Sequence, residues 1–234
     1  MSIDERALGA LIARAGHDLK NPLAVVITNL RYVQAEKLDG ELGEAIDEAT
    51  QAAEMLSDLL DNMVYLPRLR AGDVMLETQR VDLSQLDQTL AQRLASRARG
   101  RTLQLKFPQN EVGVDKELLE RALLAMLAHS LKHTPPGGVV RLEASLDETR
   151  LVLTLRDEGP PFDPSLTPSL LATSLDRGPE SSGTRQFRSD RGLPMLFAGH
   201  AIRAMGGNAE VRSEAETPGV TFTVTLPVEA LNHR

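Results

Sequence analysis

The N-terminal part of the chain carries two apolar stripes at helical spacing. In the first, apolar or small side chains recur alternately about four and three residues apart, at Leu8, Ile12, Ala15, Leu19, Pro22, Val26, Leu30 and Val33. The second follows a turn at residues 37–40 and keeps this spacing through Leu42, Ile46, Ala49, Ala53, Leu56, Leu60 and Met63. Because proline interrupts helical hydrogen bonding, the second stripe is expected to end at Pro67. The pattern predicts an antiparallel helical hairpin over residues 1–66.

A hairpin of two helices leaves apolar surface open on both flanks. Such hairpins commonly pair with a second copy, so that four helices enclose one core. The sequence therefore predicts a homodimer in which two hairpins form a four-helix bundle.

Beyond an expected linker at residues 67–74, short strands alternate with helices. Strands are predicted at 76–81, 102–107, 139–145, 150–156, 209–213 and 220–226, and helices at 83–98, 115–133 and 195–205. Residues 167–191, rich in Ser, Gly, Pro and Arg, are expected to form a loop. The predicted fold class is α+β: the helical hairpin, then an α/β-sandwich domain at residues 75–234 with helices on a mixed sheet.

Composition excludes several classes of partner and compartment. The 33 acidic residues outnumber the 26 basic ones, and aromatic residues are too few to stack on bases, so no nucleic acid is expected to bind. The absence of cysteine excludes a disulfide framework or a thiolate metal site. The opening residues are acidic where a signal peptide is basic, and no apolar run approaches the roughly 18 residues of a membrane span. A cytoplasmic protein without membrane insertion is expected.

His17 is the first candidate for chemistry. It lies two residues from Ala15 and two from Leu19, so it points about 160° away from the apolar stripe, toward solvent. Asp18 can hold one ring nitrogen as N–H, which leaves the other as a neutral nucleophile. Asn21 lies one turn further on, and Pro22 is expected to bend the helix here. Position alone favours an ordinary surface histidine.

The segment HDLKNPL, residues 17–23, closely resembles the phosphoacceptor box of the histidine kinase family. The resemblance implies that His17 takes a phosphoryl group, that Asp18 acts as a base, and that Asn21 assists phosphoryl transfer and hydrolysis. The box also falls where that family places it, midway along the first helix of a hairpin.

The second domain resembles the ATP-binding domain of the same family, which is of the Bergerat type. The resemblance rests on the order of four segments: LKHTPPGG at 131–138, DEG at 157–159, GG at 206–207 and GVTF at 219–222. It implies a nucleotide pocket that includes Lys132, Asp157, Gly159 and Gly192.

Several positions in this predicted pocket depart from the family pattern. Family members place two asparagines one helical turn apart, and their side-chain oxygens hold Mg²⁺; here the positions are Ala125 and His129. Magnesium requires oxygen ligands, so no metal site is expected. Pro161 stands where the family has the second glycine of the adenine-reading turn, and it has no N–H to donate.

The phosphate-binding loop is also incomplete. Its three family glycines correspond to Asp190, Gly192 and Pro194. A carboxylate about 5 Å from a phosphate charge costs on the order of 3 kcal/mol at an effective dielectric constant near 20, although Arg191 offsets part of this. Productive Mg-ATP binding and a resident cofactor are therefore not expected, while Asp157 and Gly159 leave weak, vestigial binding of ATP open.

Three functions are compatible with this sequence. The leading prediction is a dimeric histidine phosphotransferase that carries a phosphoryl group on His17 and exchanges it with the aspartate of a response-regulator receiver domain. The first alternative is an ATP-dependent histidine kinase that autophosphorylates His17. The second is a pseudokinase scaffold that binds response regulators without phosphoryl chemistry, although such a scaffold would not need His17, Asp18 and Asn21.

Overall fold

The structure, a computed structural model, describes residues 5–36, 38–161, 192–213 and 218–230. The chain divides into two compact units, Met1–Asp73 and Val74–Arg234. The loop predicted at residues 167–191 lies outside the described residues. Within the described part of the chain, no helix is both long enough and apolar enough to cross a membrane.

The first unit is an antiparallel pair of long helices, α1 (Glu5–Ala35) and α2 (Gly40–Ala71), which confirms the predicted hairpin. Pro22 lies inside α1, and the helix continues on both sides of it. At the end of α2, Gly72 adopts the left-handed conformation with φ of 71°, and its N–H is directed to carbonyl groups of the last turn. Glycine suits this cap because it has no Cβ to strain.

The predicted end of the second helix was wrong, because α2 continues through Pro67 to Ala71. Residues 67–71 of the expected linker are therefore helical. Proline removes one backbone hydrogen bond. Leu66 and Leu69, on either side of it, are both buried, so the final turn is held by packing that a local sequence rule does not include.

Polar pairs connect the two helices along their length. Lys20 pairs with Asp61, and Gln34 donates a hydrogen bond to Asp47. Near the open end of the pair, a Cβ added at Gly9 would lie 3.4 Å from the Cβ of Pro67. These contacts fix the register of α1 against α2. They therefore determine which α2 residue each α1 residue faces.

The hairpin leaves many large apolar side chains exposed: Leu8, Leu11, Leu19, Val25, Val26, Tyr32, Leu42, Met55 and Leu56. Several belong to the two stripes from which the hairpin was predicted. An exposed apolar surface of this extent is typical of an interface between protein chains.

We expect the protein to be a homodimer, since a second hairpin would bury this surface. Light scattering at micromolar concentration should give twice the chain mass, and Val26→Glu, which places a charge in the exposed stripe, should shift the mass toward the monomer. Thr28→Glu, at a polar exposed position about 160° around α1 from Val26, is the matched control. A monomeric mass that does not change as the concentration rises would contradict the prediction.

Within the described residues, the second unit contains eight strands and three helices. In chain order they are β1 (Thr78–Asp82), α3 (Leu83–Leu94), β2 (Thr102–Lys106), β3 (Glu111–Asp115), α4 (Lys116–His133), β4 (Val139–Leu146), β5 (Arg150–Asp157), α5 (Gly192–Ala204), β6 (Asn208–Ser213), β7 (Val220–Pro227) and β8 (Glu229–Ala230). Its main sheet has the order β2-β4-β5-β7-β6, in which β2 and β4 are parallel and the other neighbours antiparallel. This confirms the mixed sheet. Strands β3 and β8 were not predicted; with β1 they form a small antiparallel sheet.

The core of this unit lies where α4 and α5 pack on each other and on the main sheet. Alternate residues of the central strands are buried, including Leu153 and Leu155 on β5 and Phe222 and Val224 on β7. Nearly every residue from 118 to 131 on α4 is buried as well. The helix that corresponds to the family's metal-binding helix is therefore held rigidly.

Asp82 caps the N-terminus of α3 and is expected to make unfolding of this unit dependent on pH. Its carboxylate accepts hydrogen bonds from the hydroxyl of Ser84 at 2.7 Å and from the backbone N–H of Ser84 at 2.9 Å. These bonds favour the charged form and lower the pKa of Asp82 below its usual 3.8. A lowered pKa stabilises the folded state at pH values above the pKa of Asp82 in the unfolded chain. This stabilisation is lost as the pH falls through the pKa of Asp82 in the folded state.

Asp82→Ala should therefore lower the melting temperature at neutral pH, and the difference from the wild type should shrink as the pH falls below 3.8. Asp82→Asn, which keeps a capping oxygen without the charge, is the control and should retain more stability at neutral pH. Thermal melts of the variants at several pH values measure this. An effect of Asp82→Ala that does not change with pH would contradict the charge argument.

Candidate functional site

His17 and Asp18 lie together on the open surface of α1. Their side chains are 75% and 70% exposed, and His17 Nδ1 is 3.6 Å from Asp18 Oδ1. This separation exceeds a hydrogen bond, but both side chains are free of packing constraints and catalytic hydrogen bonds often tighten only with substrate. Asp18 is thus placed to accept a hydrogen bond from one ring nitrogen while the other faces solvent.

The residues next to this pair leave the imidazole uncovered. Asn21 and Pro22 are exposed one turn further along α1. Lys20 pairs with Asp61 of α2. The structure therefore places His17, Asp18 and Asn21 on an accessible surface, as the sequence predicted.

Gly16, directly before His17, packs closely against α2. It is buried, and a Cβ added there would overlap the Cγ2 methyl of Val64 on α2. A side chain at this position would therefore require Val64 to move, and the backbone that carries His17 packs against the second helix. Sequence reasoning missed this contact.

The turn that resembles the family's adenine-reading turn is well formed. Asp157 ends β5 with its side chain fully buried, and its Oδ1 accepts the backbone N–H of Gly159 at 3.0 Å. The N–H of Gly219, directly before β7, donates to the carbonyl of Gly159 at 2.8 Å. A Cβ on Gly219 would lie 2.8 Å from the carbonyl oxygen of Asp157, so a side chain there would push the two strands apart.

The end of α4 and the loop after it are also tied to this turn. Glu158 Oε2 accepts the backbone N–H of Val139 at 3.0 Å. Thr134, the C-terminal cap residue of α4, donates its hydroxyl to the carbonyl of Ser130 at 2.8 Å. Lys132, predicted to belong to the pocket, is exposed in the last turn of the helix. Asp157, Gly159 and Lys132 are thus held on neighbouring parts of one scaffold.

The residues at the family's magnesium positions do not fit that ion. Ala125 presents a buried methyl group, and His129 presents a buried imidazole, edge-on to Phe222 at 6.5 Å. Neither offers the oxygen that Mg²⁺ requires. These two positions therefore cannot anchor the magnesium ion of Mg-ATP.

The segment that corresponds to the family's phosphate-binding loop is described only in part. Gly192 begins α5 with φ of 56°, and Pro194 lies in the first turn of that helix, where it offers no backbone N–H. Asp190 and Arg191 lie outside the described residues. Pro161 closes the described part of the adenine turn and likewise lacks an N–H.

Two family profiles match the chain. Residues 7–72 match the "His Kinase A (phospho-acceptor) domain", and residues 114–230 match the "Histidine kinase-, DNA gyrase B-, and HSP90-like ATPase". The chain belongs to the histidine kinase family. It contains the two-domain catalytic core of two-component kinases, in the family's order.

Curated relatives cover nearly all of this kinase core. The sensor histidine kinase TmoS of Ectopseudomonas mendocina is 25% identical over 97% of the chain, and the histidine-protein kinase/phosphatase MprB of Mycobacterium sp. (strain KMS) is 29% identical over 93%. The chain spans only 23% and 43% of the lengths of these two proteins. What the complete relatives do is therefore carried to this chain only as a proposal.

Solved structures show the same fold. Full-length ShkA in complex with AMPPNP aligns with a TM-score of 0.64 and 22% identity over 96% of the chain and 47% of ShkA. A mycobacterial sensor histidine kinase MprB aligns with a TM-score of 0.54 and 23% identity over 65% of the chain and all of its own length. At this identity the likeness supports the architecture of the kinase core.

His133 is a residue of α4 that sequence reasoning missed. It lies one turn after His129, and the two ring centroids are 4.5 Å apart. The signal was present in the sequence, because residues four apart share one face of a helix. Sequence analysis named His129 only because it lacks the oxygen ligand that family members have at this position.

We expect Mg-ATP to bind weakly or not at all, because Ala125 and His129 supply no oxygen and Pro161 and Pro194 supply no amide. Titration calorimetry with Mg-ATP measures this. The double substitution Ala125→Asn and His129→Asn should strengthen binding by roughly tenfold, or about 1.4 kcal/mol, if the missing oxygens are the cause.

The matched control for that gain is His129→Asn alone, which supplies one of the two amides. A low-micromolar dissociation constant for the unaltered protein would contradict the prediction. A double variant that binds no better than the wild type would show that the defect lies elsewhere in the pocket.

Proposed function

We propose that this histidine kinase core carries a phosphoryl group on His17 and exchanges it with the aspartate of a response-regulator receiver domain. The observation that carries the proposal is the exposed imidazole of His17 beside Asp18 on the hairpin. Phosphoryl transfer requires the nucleophile to meet phosphorus in line, and a partner can reach this imidazole without rearrangement of the helix.

The chemistry needs little from this chain beyond a neutral, oriented imidazole. An aspartyl phosphate is an activated acyl phosphate. The solvent-facing ring nitrogen of His17 attacks its phosphorus, a nitrogen–phosphorus bond forms, and the bond from phosphorus to the aspartate oxygen breaks to release the carboxylate. The proton on the other ring nitrogen stays there and is stabilised by Asp18. The receiver's own acidic pocket would supply Mg²⁺.

The same steps in reverse return the phosphoryl group to the aspartate. Asn21, one turn from His17 on the exposed surface, is proposed to contact the transferred phosphoryl group or the water that hydrolyses it. Its amide can both donate and accept a hydrogen bond. The direction of net transfer is set by the partner.

An ATP-dependent autokinase is the second candidate, and the comparisons with known proteins favour it over the phosphotransferase. TmoS and MprB are named as kinases, and ShkA was solved with AMPPNP. The buried Asp157 turn is also retained. Against it stand Ala125 and His129, which support a receiver rather than ATP as the source of the phosphoryl group.

Two phosphoryl donors offered in parallel separate these candidates. The protein is incubated with Mg-ATP labelled at the γ-phosphate, or with a response-regulator receiver domain labelled on its aspartate. A phosphotransferase takes acid-labile label from the receiver alone, whereas a kinase takes it from ATP as well. If neither donor labels the protein although the receiver still binds to it, both candidates are wrong and the scaffold function takes their place.

A further inference from the structure

Two histidines face each other on the helix that corresponds to the family's metal-binding helix. His129 and His133 lie one turn apart on α4, with ring centroids 4.5 Å apart and ring planes inclined by 50°. Residues four apart on a helix point their side chains to one face, so both imidazoles address the same space.

This spacing suits the binding of a single metal ion by both rings. With metal–nitrogen bonds of about 2.1 Å, the centre of a bound imidazole lies roughly 3.2 Å from the ion. Two such rings have centres roughly 4.5 Å apart at a right angle around the ion, as in square-planar or octahedral coordination, and roughly 5.3 Å apart at the tetrahedral angle typical of zinc. The observed separation of 4.5 Å matches the right-angle arrangement, and the ring centres would have to move apart by about 0.8 Å for a tetrahedral ion.

The surroundings hold the first of these rings in place. His129 is 5% exposed and lies edge-on to Phe222 of β7, with 6.5 Å between centroids and an interplanar angle of 87°. His133 is partly exposed, near the end of the helix. A rigid ring and a more accessible one, on a well-packed helix, form a partly preorganised pair of ligands.

The ligand chemistry decides which ion this pair prefers. Neutral imidazole binds zinc, cobalt, nickel and copper ions well, whereas magnesium selects oxygen. Among the described residues, no group of three or more His, Cys, Asp or Glu side chains is placed to hold a metal. The histidine pair would therefore supply two ligands and leave the remaining positions for water or for an oxygen of another ligand.

We propose that His129 and His133 form a two-imidazole site for a divalent transition-metal ion of the zinc type, on the helix where family members hold magnesium. The alternative is that the two rings only pack against each other. The proposal does not depend on phosphoryl transfer at His17, since it concerns a separate unit of the chain and a different ligand.

Calorimetric titration of the full, untagged chain with Zn²⁺, without nucleotide or receiver, tests the site. We expect one ion bound per chain, and binding roughly tenfold weaker or lost in His133→Phe, which keeps an aromatic ring against His129 but removes both nitrogens. Mg²⁺ should give no comparable binding. The chain has five histidines and no cysteine, so substitution can assign the ligands.

His17→Ala is the control, because His17 and Asp18 form an exposed pair in which a histidine adjoins a carboxylate. Zinc binding unchanged in His17→Ala and lost in His133→Phe supports the site. Binding lost in His17→Ala but kept in His133→Phe overturns it, as does the absence of zinc binding to the wild type at millimolar concentration.

A second measurement needs no substitution in the core. Paramagnetic Co²⁺ added to the wild type should broaden the ring-proton resonances of His129 and His133 before those of His200, which is buried on α5. Equal broadening of all histidines, or broadening of His17 first, would overturn the proposal. Phosphoryl exchange measured separately with a receiver, free of added zinc, shows whether the proposed function stands or fails independently.

Discussion

His17→Ala is expected to abolish phosphoryl exchange with a receiver domain while leaving the fold intact. The alanine has no nucleophile, and the deleted ring is 75% exposed, so few packing contacts are lost. The transferred label should fall to background in a time course with a labelled receiver. Circular dichroism and the molecular mass should remain those of the wild type.

Asp18→Asn should slow the exchange without stopping it. The amide can still orient the ring, but it no longer stabilises the ring proton by charge, and losses of roughly a hundredfold or more are typical when such a group is removed. Asn29→Ala, at an exposed position three turns further along α1, is the matched control and should transfer at the wild-type rate. Equal rates in Asp18→Asn and the wild type would exclude a role for the carboxylate.

Gly16→Val should destabilise the helical unit by about 2 kcal/mol. The new side chain would overlap the Cγ2 methyl of Val64, which is β-branched and has one dominant rotamer in a helix, so turning this methyl away is costly. The better helix propensity of valine offsets only a few tenths of a kcal/mol of this cost. Urea denaturation followed by circular dichroism measures the change in the transition of the hairpin.

The control for Gly16→Val is Ala10→Val, which adds the same side chain type at an exposed position of α1 and should cost far less. Val64→Ala combined with Gly16→Val should restore part of the loss, with a coupling of roughly 0.5–3 kcal/mol. Because the residue after Gly16 is His17, the destabilised variant should also transfer phosphoryl more slowly. A neutral Gly16→Val would contradict the close approach of the helices.

The hairpin could be predicted from sequence because its signal is local. Apolar side chains at helical spacing define α1 and α2. His17 is exposed as predicted, but Ala15 and Leu19, from which its direction was derived, are exposed as well. The end of α2 could not be predicted in the same way. The local rule for Pro67 was overridden by the burial of Leu66 and Leu69, which depends on tertiary packing.

The second unit shows the same limit. Strand β3 is only five residues long, contains Gly113 and follows Pro108, so it lacks a period-two pattern strong enough to detect. It exists because it pairs with β1 and β8, which are distant along the chain. Such strands become visible only when their partners are known.

The contacts around His17 could not be predicted from the sequence, because they depend on how α1 is aligned with α2. Glycine in a helix is a weak sequence signal, and only the alignment of α1 with α2 shows that Gly16 faces Val64. By contrast, His129 and His133 could have been paired from their spacing alone. Two imidazoles on one helix face can bind a metal ion that a pair of asparagine oxygens would not select.

The central claim is that His17 itself carries the phosphoryl group, and the position of that group tests it most directly. A receiver domain labelled on its aspartate is mixed with the unaltered protein, without nucleotide, and the products are mapped by mass spectrometry under neutral conditions. We predict a single phosphoryl group on the peptide that contains His17, stable in alkali and lost in acid. Label on another residue, or loss of the receiver's label with none ever found on His17, would contradict the account.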